Sequence, residues 1–220
     1  MSERSDVGVQ SVSAVRIDHA VTSGTFSLDG GTWDVDNNVW VIGDDDECVI
    51  IDAPHTADPI VELVGGRRLR GVLCTHAHDD HVTVARELAD HFDAPIRLHP
   101  ADEMLWRATY PEVGFEPLVD GELLAVAGIE LQVLHTPGHS PGAVCFYAQA
   151  LGTVFSGDTL FQGGPGATGR SYSSFDTIID SIQNRLFTLP AETIVHTGHG
   201  DSTTIGAESP HLAEWIERGH

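Results

Sequence analysis

The sequence contains no lysine: all eleven of its basic residues are arginine, they face 33 acidic residues, and the formal net charge is −22. Proteins that bind nucleic acid depend on basic side chains that neutralise phosphate groups. A strongly negative field repels such a partner. The composition therefore predicts no nucleic-acid partner, and the acidic surface is interpreted as a source of solubility.

Long apolar runs and paired cysteines are also missing. No segment approaches the roughly 18 consecutive apolar residues of a membrane helix, and Met1 to Gln10 lacks the apolar stretch of a secretory signal. The three cysteines, Cys48, Cys74 and Cys145, lie in predicted strands without paired spacing. That pattern is typical of buried thiols in a reducing compartment. We therefore expect a cytoplasmic protein without a membrane partner.

The segment from Cys74 to His81 carries the strongest chemical signal. His76, His78, Asp80 and His81 are four potential metal ligands within six residues. Alternation along an extended backbone places His76 and His78 on the same side, so both imidazoles can reach one ion. Asp80 and His81 follow where the chain turns into a predicted helix, towards a second position. Imidazole and carboxylate donors suit zinc, iron or manganese.

Three more candidate ligands stand further along the chain. His139, Asp158 and His199 each follow an apolar run and are flanked by glycine. Apolar runs bounded by glycine and proline are typical of strands that end in tight turns. Loops at the ends of a rigid sheet are where binding residues concentrate.

The remaining pattern predicts a single domain over residues 13–220, with residues 1–12 disordered or loosely attached. Strands are predicted near 14–21, 38–43, 47–52, 70–75, 95–99, 129–135, 143–148, 152–157 and 193–197. Helices are predicted over 57–64, 81–92, 101–108, 174–187 and 208–217. Residues 24–37, with Phe26 and Trp33, are expected to form a mobile hairpin lid that covers an apolar part of the substrate, and residues 162–173 a second flexible rim. Both segments are equally explicable as surface loops.

This pattern resembles the metallo-β-lactamase superfamily and, within it, the short glyoxalase II-like hydrolases. The resemblance covers roughly residues 35 to 210, and the residues that carry it are Asp52, His76, His78, Asp80, His81, His139, Asp158 and His199. It implies an α/β (α+β) fold: a four-layer αββα sandwich in which two mixed sheets are flanked by helices.

The same resemblance assigns the ligands of two metal ions, most simply zinc, with iron or manganese as further candidates. One ion would be held by His76, His78 and His139, the other by Asp80, His81 and His199, with Asp158 between them. Such a pair would supply a bridging hydroxide as nucleophile, and Asp80 and Asp158 would be the catalytic carboxylates. Asp52 either accepts a hydrogen bond from a ligand histidine and orients it or is a turn carboxylate at a strand end.

Several reactions stay open within this superfamily. A β-lactamase is disfavoured because those enzymes generally lack an aspartate in the position of Asp158, and the nuclease branch is disfavoured by the acidic charge. Hydrolysis of a thioester of a small thiol is the leading interpretation. The alternative is a persulfide dioxygenase with one iron on His76, His139 and Asp158. A catalytically silent metal-binding module is the third.

The carrier thiol and the substrate contacts form a separate question. Full-length glyoxalase II proteins hold glutathione with basic residues of a C-terminal helical domain, whereas this sequence ends about twenty residues beyond His199 and has no lysine. A glutathione site of that form is therefore not expected, and another small thiol, such as mycothiol, is a candidate carrier. The protein is expected to be a monomer or a homodimer. Gly169-Arg170-Ser171-Tyr172 stands where the subgroup usually has Gly-Arg-Thr-Asp. Arg170 and Tyr172 are thus candidates for binding a polar substrate tail, unless Arg170 pairs with a local carboxylate.

Overall fold

The computed structural model describes residues 14–219, and the first half of the chain forms a six-stranded sheet with helices on one face. Its elements are β1 (Arg16–Leu28), β2 (Gly31–Gly43), β3 (Glu47–Ile51), α1 (Ala57–Val64), β4 (Arg68–Leu73), α2 (Asp79–Val82), α3 (Ala85–Phe92), β5 (Ile96–Leu98), α4 (Glu103–Thr109) and β6 (Glu116–Pro117). The strands lie in chain order, antiparallel up to β3 and parallel from there on. The predicted loose segment, 1–12, lies outside the described residues.

The second half forms another six-stranded sheet. Its elements are β7 (Leu123–Val126), β8 (Ile129–His135), β9 (Val144–Ala148), β10 (Thr153–Gly157), β11 (Leu160–Phe161), β12 (Gly164–Pro165), α5 (Phe175–Ser181), β13 (Ile194–Thr197), β14 (Thr203–Thr204), α6 (Ile205–Glu208) and α7 (Leu212–Arg218). The strand order is β14-β13-β10-β9-β8-β7, with one parallel pair, β10 and β13, while β11 and β12 form a separate ribbon.

Alternation along the strands sorts the apolar side chains into three buried layers. In β2, Val39 and Val41 pack towards the helices, whereas Trp40 and Ile42 pack towards the second sheet. The middle layer between the sheets also includes Phe146 and Phe155. An outer layer on each side joins a sheet to its helices. The predicted four-layer αββα sandwich of two mixed sheets is therefore confirmed.

The hairpin predicted over 24–37 is the end of a longer one. β1 and β2 stay paired to the turn, with Phe26 opposite Trp33 and Leu28 opposite Gly31. Its apolar residues alternate at period two, which is the signature of a strand with one buried face. The site therefore has a paired hairpin wall on this side, and the mobility expected of the hairpin stays a prediction.

The predicted helix 81–92 is broken into α2 and α3. The hydroxyl of Thr83 donates to the carbonyl of Asp79 at 2.6 Å and closes the first turn. The amide of Val84 leaves the helix and donates to the carbonyl of Ala53 at 3.0 Å. The break lets the short helix that carries Asp80 and His81 take its own direction against β3. The other predicted helices end within a few residues of the expected positions, although 182–186 widens into a π-helical turn.

Five short strands, β6, β7, β11, β12 and β14, were not predicted, because segments of two to four residues carry no readable periodicity. Within residues 14–219, no helix is long and apolar enough to cross a membrane. The cytoplasmic location, the single domain and the monomer or homodimer state stay predictions.

Candidate metal centre

The ends of the inner strands of both sheets bring the predicted ligands to one place. The loop after β4 carries His76 and His78, and α2 directly follows it with Asp80 and His81. From the second sheet, His139 lies between β8 and β9, Asp158 follows β10, and His199 follows β13. All seven side chains meet there, in groups whose donor atoms lie within 4.8 Å of one another.

Three imidazoles form the first group, called the three-histidine group below. Nδ1 of His78 lies 3.0 Å from Nε2 of His76 and 3.0 Å from Nε2 of His139. All three side chains are buried. This group has the donor number and type of a protein site for zinc or a similar ion.

The mixed group consists of Asp80, His81 and His199. Nε2 of His199 lies 3.4 Å from Oδ2 of Asp80 and 3.2 Å from Nε2 of His81. Asp158 lies between the two groups: its Oδ1 is 3.3 Å from His81, and its Oδ2 is 3.3 Å from His199 and 3.5 Å from Nε2 of His139. One carboxylate thus contacts both groups.

Hydrogen bonds on the outer side of the rings decide which nitrogens face the centre. Nδ1 of His139 donates to the carbonyl of Ala167 at 2.8 Å, and Nδ1 of His199 donates to the carbonyl of Asp36 at 2.7 Å. Nδ1 of His81 lies 2.8 Å from the Asp52 carboxylate, which can only accept. A neutral imidazole that donates from Nδ1 has its lone pair on Nε2. These rings therefore turn Nε2 towards the centre, and each can offer a lone pair there when it is neutral.

His76 follows the same rule through Thr75. The Thr75 hydroxyl donates to Oδ2 of Asp52 at 2.8 Å, so its oxygen accepts from Nδ1 of His76 at 3.1 Å. His78 is the exception, because it presents Nδ1 to the centre and its buried Nε2 has no hydrogen-bond partner within residues 14–219. In the three-histidine group the ring nitrogens thus converge without a hydrogen-bond donor among His76 and His78, an arrangement that a bound cation satisfies.

Two further observations fit a cation. Oδ1 of Asp158 is buried and has no hydrogen-bond partner in the part of the chain that the structure describes. Gly198 closes over it so tightly that a Cβ there would lie 2.3 Å from this oxygen. A buried carboxylate oxygen without a partner is costly unless a positive charge stands beside it. The residues present therefore fit divalent metal ions.

The two groups differ in protonation. Burial lowers the pKa of His76 well below its usual value and that of His78 to about 3, and neighbouring imidazoles act in the same direction. Burial acts on the mixed group too, but the charges of Asp158 and Asp80 override it. They raise the pKa of His81 well above its usual value and that of His199 to about 10.

The Asp158 carboxyl shows the reverse effect. Burial would raise its pKa, but the charges of His199 and His81 hold that pKa well below its usual value. Asp158 is therefore an anion throughout the neutral range.

A cavity of about 240 Å³ leads from solvent to these groups. Its floor includes His78, His139 and Asp158, and one wall is the hairpin face of Phe26, Leu28, Trp33 and Val35. The opposite rim is the segment 167–173, with Ala167, Arg170, Ser171 and Ser173. The opening is thus apolar on one side and polar on the other.

Arg170 and Tyr172, the two predicted substrate residues, are placed differently. Arg170 lines the cavity with its guanidinium 3.7 Å from the ring centroid of Trp33, a cation–π contact. Tyr172 is not among the lining residues and is 55% exposed. The amide of Ser171 donates to Asp29 at the hairpin tip, at 3.0 Å, so the rim and the wall are joined.

Asp52 lies where the sequence placed it. Its Oδ2 accepts from His81, and its Oδ1 accepts from the backbone amide of Thr75 at 2.7 Å. Gly157, with φ of +48°, allows the close packing of this region because a Cβ there would lie 2.5 Å from Oγ1 of Thr75. Asp52 therefore fixes both a ring of the mixed group and the start of the ligand loop.

Two buried side chains of the centre were not predicted. Asp102 accepts from the backbone amide of Ala77 at 3.0 Å and from the hydroxyl of Ser140 at 2.7 Å, which ties the two loops of the three-histidine group together. Asn37 donates to Oδ2 of Asp80 at 3.0 Å. Their partners are 25 to 43 residues away in sequence, so no local spacing points to them.

Comparison with known proteins agrees with this geometry. A family model of the metallo-β-lactamase superfamily matches residues 32–199. The hydroxyacylglutathione hydrolase GloC of Haemophilus influenzae is 33% identical over 190 residues, which cover 78% of this chain and 89% of GloC.

Solved structures give the same family. TTHA1623 in a di-iron-bound form is 34% identical with a TM-score of 0.72, covering 80% of this chain and 93% of its own. The B3 metallo-β-lactamase BLEG-1 is 29% identical with a TM-score of 0.72, over 87% and 98%. ETHE1 from Myxococcus xanthus is 28% identical with a TM-score of 0.69, over 80% and 78%. The chain belongs to the metallo-β-lactamase superfamily, whose members are mostly hydrolases, and its relatives support the short glyoxalase II-like subgroup.

Proposed function

We propose that this protein is a metal-dependent hydrolase that cleaves a thioester of a small thiol at a centre of two divalent ions. The three-histidine group would hold one ion, the mixed group the other, and Asp158 would contact both. Zinc is the first candidate, with iron or manganese as alternatives. The observation that carries the proposal is the convergence of both groups on the single carboxylate of Asp158, at the floor of an open cavity.

The construction of the mixed group favours two ions over one. A mononuclear iron dioxygenase that uses His76, His139 and Asp158 would leave the mixed group idle. Yet His81 and His199 are oriented as firmly as the rest, since each donates from Nδ1 to a fixed oxygen. Keeping a buried, fully oriented set of donors without a ligand costs stability. Four histidine rings, those of His76, His81, His139 and His199, are held with Nε2 facing the centre. This supports the use of both groups as metal sites.

When bound, two such ions lower the pKa of a shared water towards neutrality and polarise a substrate carbonyl. The residues of the chain supply the rest of the reaction conditions. Asp158 is anionic and offsets the repulsion between two cations. Phe26 and Trp33 exclude water from one side of the cavity, which strengthens electrostatic interactions at its floor.

The cavity also restricts the substrate. Its volume of about 240 Å³ is below the ~300–1,000 Å³ of common ligand pockets, so it suits a short acyl group with the carrier thiol extending towards the rim. Arg170 at that rim can donate hydrogen bonds to a hydroxyl, amide or carboxylate oxygen of the carrier. A small thiol other than glutathione, such as mycothiol, fits this arrangement, and the partner is a small molecule.

Elemental analysis combined with a substrate panel tests the proposal. We expect about two ions per chain in protein purified without added metal or chelator, and turnover of thioesters of glutathione, mycothiol and shorter thiols. A β-lactam and a glutathione persulfide are included as competing substrates, the latter read by oxygen consumption. A single iron with oxygen uptake would replace the proposal by the dioxygenase, and cleavage of the β-lactam alone would replace it by a lactamase. Metal without any turnover would leave a binding module.

A further inference from the structure

Behind the mixed group, two side chains form a hydrogen-bonded chain that ends on Asp80. Nδ2 of Asn37 donates to Oδ2 of Asp80 at 3.0 Å, and Nε2 of His55 lies 2.8 Å from Oδ1 of Asn37. We propose that Asn37 and His55 are positioning residues that hold this ligand oxygen for the metal ion of the mixed group. That ion is called the second ion below, and the ion of the three-histidine group is called the first. This inference rests on the proposed two-ion centre and deepens it.

The oxygen involved is the one that faces the other ligands. Oδ2 of Asp80, which accepts from Asn37, lies 3.4 Å from Nε2 of His199 and 3.6 Å from Nε2 of His81. A carboxylate oxygen has two lone pairs. The amide of Asn37 takes one of them and leaves the other for an ion. Hydrogen bonds that hold ligating carboxylates in this manner tune metal affinity.

The direction of both hydrogen bonds in the series His55–Asn37–Asp80 is determined by the carboxylate at its end. A carboxylate that binds a metal ion is deprotonated, and the carboxylate of Asp80 faces Nδ2 of Asn37. An ionised carboxylate can only accept, so the Asn37 amide must point its NH₂ towards Asp80 and its carbonyl oxygen towards His55. His55 must then donate from Nε2. Without that donor, the Asn37 amide could flip and present its oxygen to Asp80.

Both side chains are confined. Asn37 is 0% exposed. His55 has φ of +53°, a left-handed conformation that is uncommon for residues other than glycine and often marks a functional constraint. Gly24 on β1 packs against the imidazole, because a Cβ there would lie 2.2 Å from Nδ1 of His55. The ring is therefore wedged between the backbone of β1 and Asn37.

A neighbouring pair shows that the arrangement is specific. Oδ1 of Asn38 pairs with Nε2 of His19 at 2.9 Å, so it has the same histidine-to-amide geometry. Nδ2 of Asn38, however, donates to the backbone carbonyls of Thr197 and Gly200. Consecutive residues of a strand point to opposite faces, and only Asn37 reaches an atom of a candidate ligand.

His55 does not line the cavity that leads to the centre. It lines a second cavity of about 510 Å³, whose other residues include Gly24, Thr56, Asp79 and Thr109. A small molecule can thus reach the position of the His55 ring without entering the substrate cavity. This separation permits a chemical rescue experiment.

The test uses His55→Gly, since glycine accepts the backbone conformation of residue 55 without strain. Zinc-loaded protein is equilibrated in buffers of graded free zinc, and zinc per chain is measured. We expect the first ion to be retained as in the unmodified protein and the second to bind about 10- to 100-fold more weakly. Turnover should fall in parallel, and added imidazole should restore both. Asn37→Ala should show the same loss without rescue.

A matched control is His91→Ala, which replaces an exposed histidine of α3 whose ring contacts Phe92, and which should leave both affinities unchanged. Unchanged binding of the second ion in both His55→Gly and Asn37→Ala would overturn the inference while the two-ion centre stands. If the unmodified protein itself holds no second zinc ion, the proposed function fails first.

Gly24→Ala separates positioning from general destabilisation. The added Cβ meets only atoms of the His55 ring among its three nearest neighbours, so it should weaken the second ion in the unmodified protein and have no further effect in His55→Gly. Coupled residues behave in this non-additive manner. Equal losses in both backgrounds would show that the substitution acts on strand β1 and would count against a positioning role.

Discussion

The two halves of the candidate centre use the same side chains in opposite electrostatic surroundings. In the three-histidine group, burial keeps His76 and His78 neutral because it lowers the pKa of each. In the mixed group, Asp158 and Asp80 overcome the same burial and raise the pKa of His81 and His199. The difference is the position of the carboxylates, since only the mixed group has an aspartate of its own. Neutral imidazoles can accept a cation directly, whereas protonated ones must first release protons.

The largest expected effect comes from removing the residue that the two groups share. Asp158→Asn keeps the shape of the side chain but removes its charge, so both ions should be lost or weakly bound. Because the metal ions lower the pKa of water by many units, kcat/KM should fall by more than about 1,000-fold. Metal content and turnover are measured on the same sample.

Asp90→Asn is the control for that substitution. Asp90 is an exposed carboxylate whose side chain is 61% accessible, so its replacement should change neither metal content nor rate. Full turnover by Asp158→Asn with both ions retained would show that the two groups do not depend on a shared carboxylate.

The second prediction separates the groups by pH. The pKa of His199 is raised to about 10, so this group binds a proton at neutral pH and must lose it when a metal ion binds. Below this pKa the proton competes with the metal ion for the imidazole of His199. Affinity for the second ion should therefore drop about 10-fold or more per pH unit below pH 9. The three-histidine group, with the pKa of His78 at about 3, should keep its ion to about pH 5.

Stepwise acidification with zinc analysis checks this order of release. Calorimetric zinc titration in buffers of different ionisation enthalpy counts the protons directly: about one or two for the second ion and near zero for the first. Simultaneous loss of both ions on acidification, or equal proton counts, would contradict the electrostatic difference between the groups.

The third prediction concerns the buried aspartates that support each group from behind. Asp52 orients His81 of the mixed group, whereas Asp102 joins the loops of the three-histidine group. Each substitution to asparagine should weaken metal binding by about 10- to 100-fold, Asp52→Asn at the second ion and Asp102→Asn at the first. Zinc per chain in graded zinc buffers distinguishes the two. Loss of the same ion in both variants would mean that the groups are not supported separately.

The difference between Asp52 and Asp102 also shows how far the sequence alone could go. Asp52 directly follows an apolar run and belongs to a recognisable pattern, so its place beside a ligand could be predicted. Asp102 stands within what the periodicity marks as a helix, and its partners Ala77 and Ser140 are brought to it by two separate loops. The convergence of the candidate ligands was predictable, because their segments follow strand ends, where sheet geometry determines the meeting point.

The hairpin wall shows a limit of a different kind. Gly24, Gly30 and Gly31 indicated a mobile hairpin or a surface loop, and Phe26 and Trp33 do form a register pair in a hairpin, but no local pattern gave the reason for Gly24. Glycine is disfavoured in strands for its lack of a side chain, but at Gly24 the absence of a Cβ is what admits the ring of His55. Local propensity could not reveal a tertiary contact that requires glycine.

The smallest expected effect concerns the rim, which contacts neither group. Arg170 is held over Trp33 and lines the cavity, so Arg170→Ala should raise KM for an anionic thioester by about 10-fold while leaving both ions bound. Arg170→Lys should recover only part of the loss, because lysine keeps the charge but not the planar stacking.

Tyr172→Asn is the matched control substitution, since Tyr172 does not line the cavity and has φ of +70°, a conformation that asparagine tolerates. Its KM should change less than about twofold, as surface substitutions generally have small effects. Loss of metal in Arg170→Ala would instead show that the arginine supports the structure of the centre, and that the rim contributes to metal binding as the two ligand groups do.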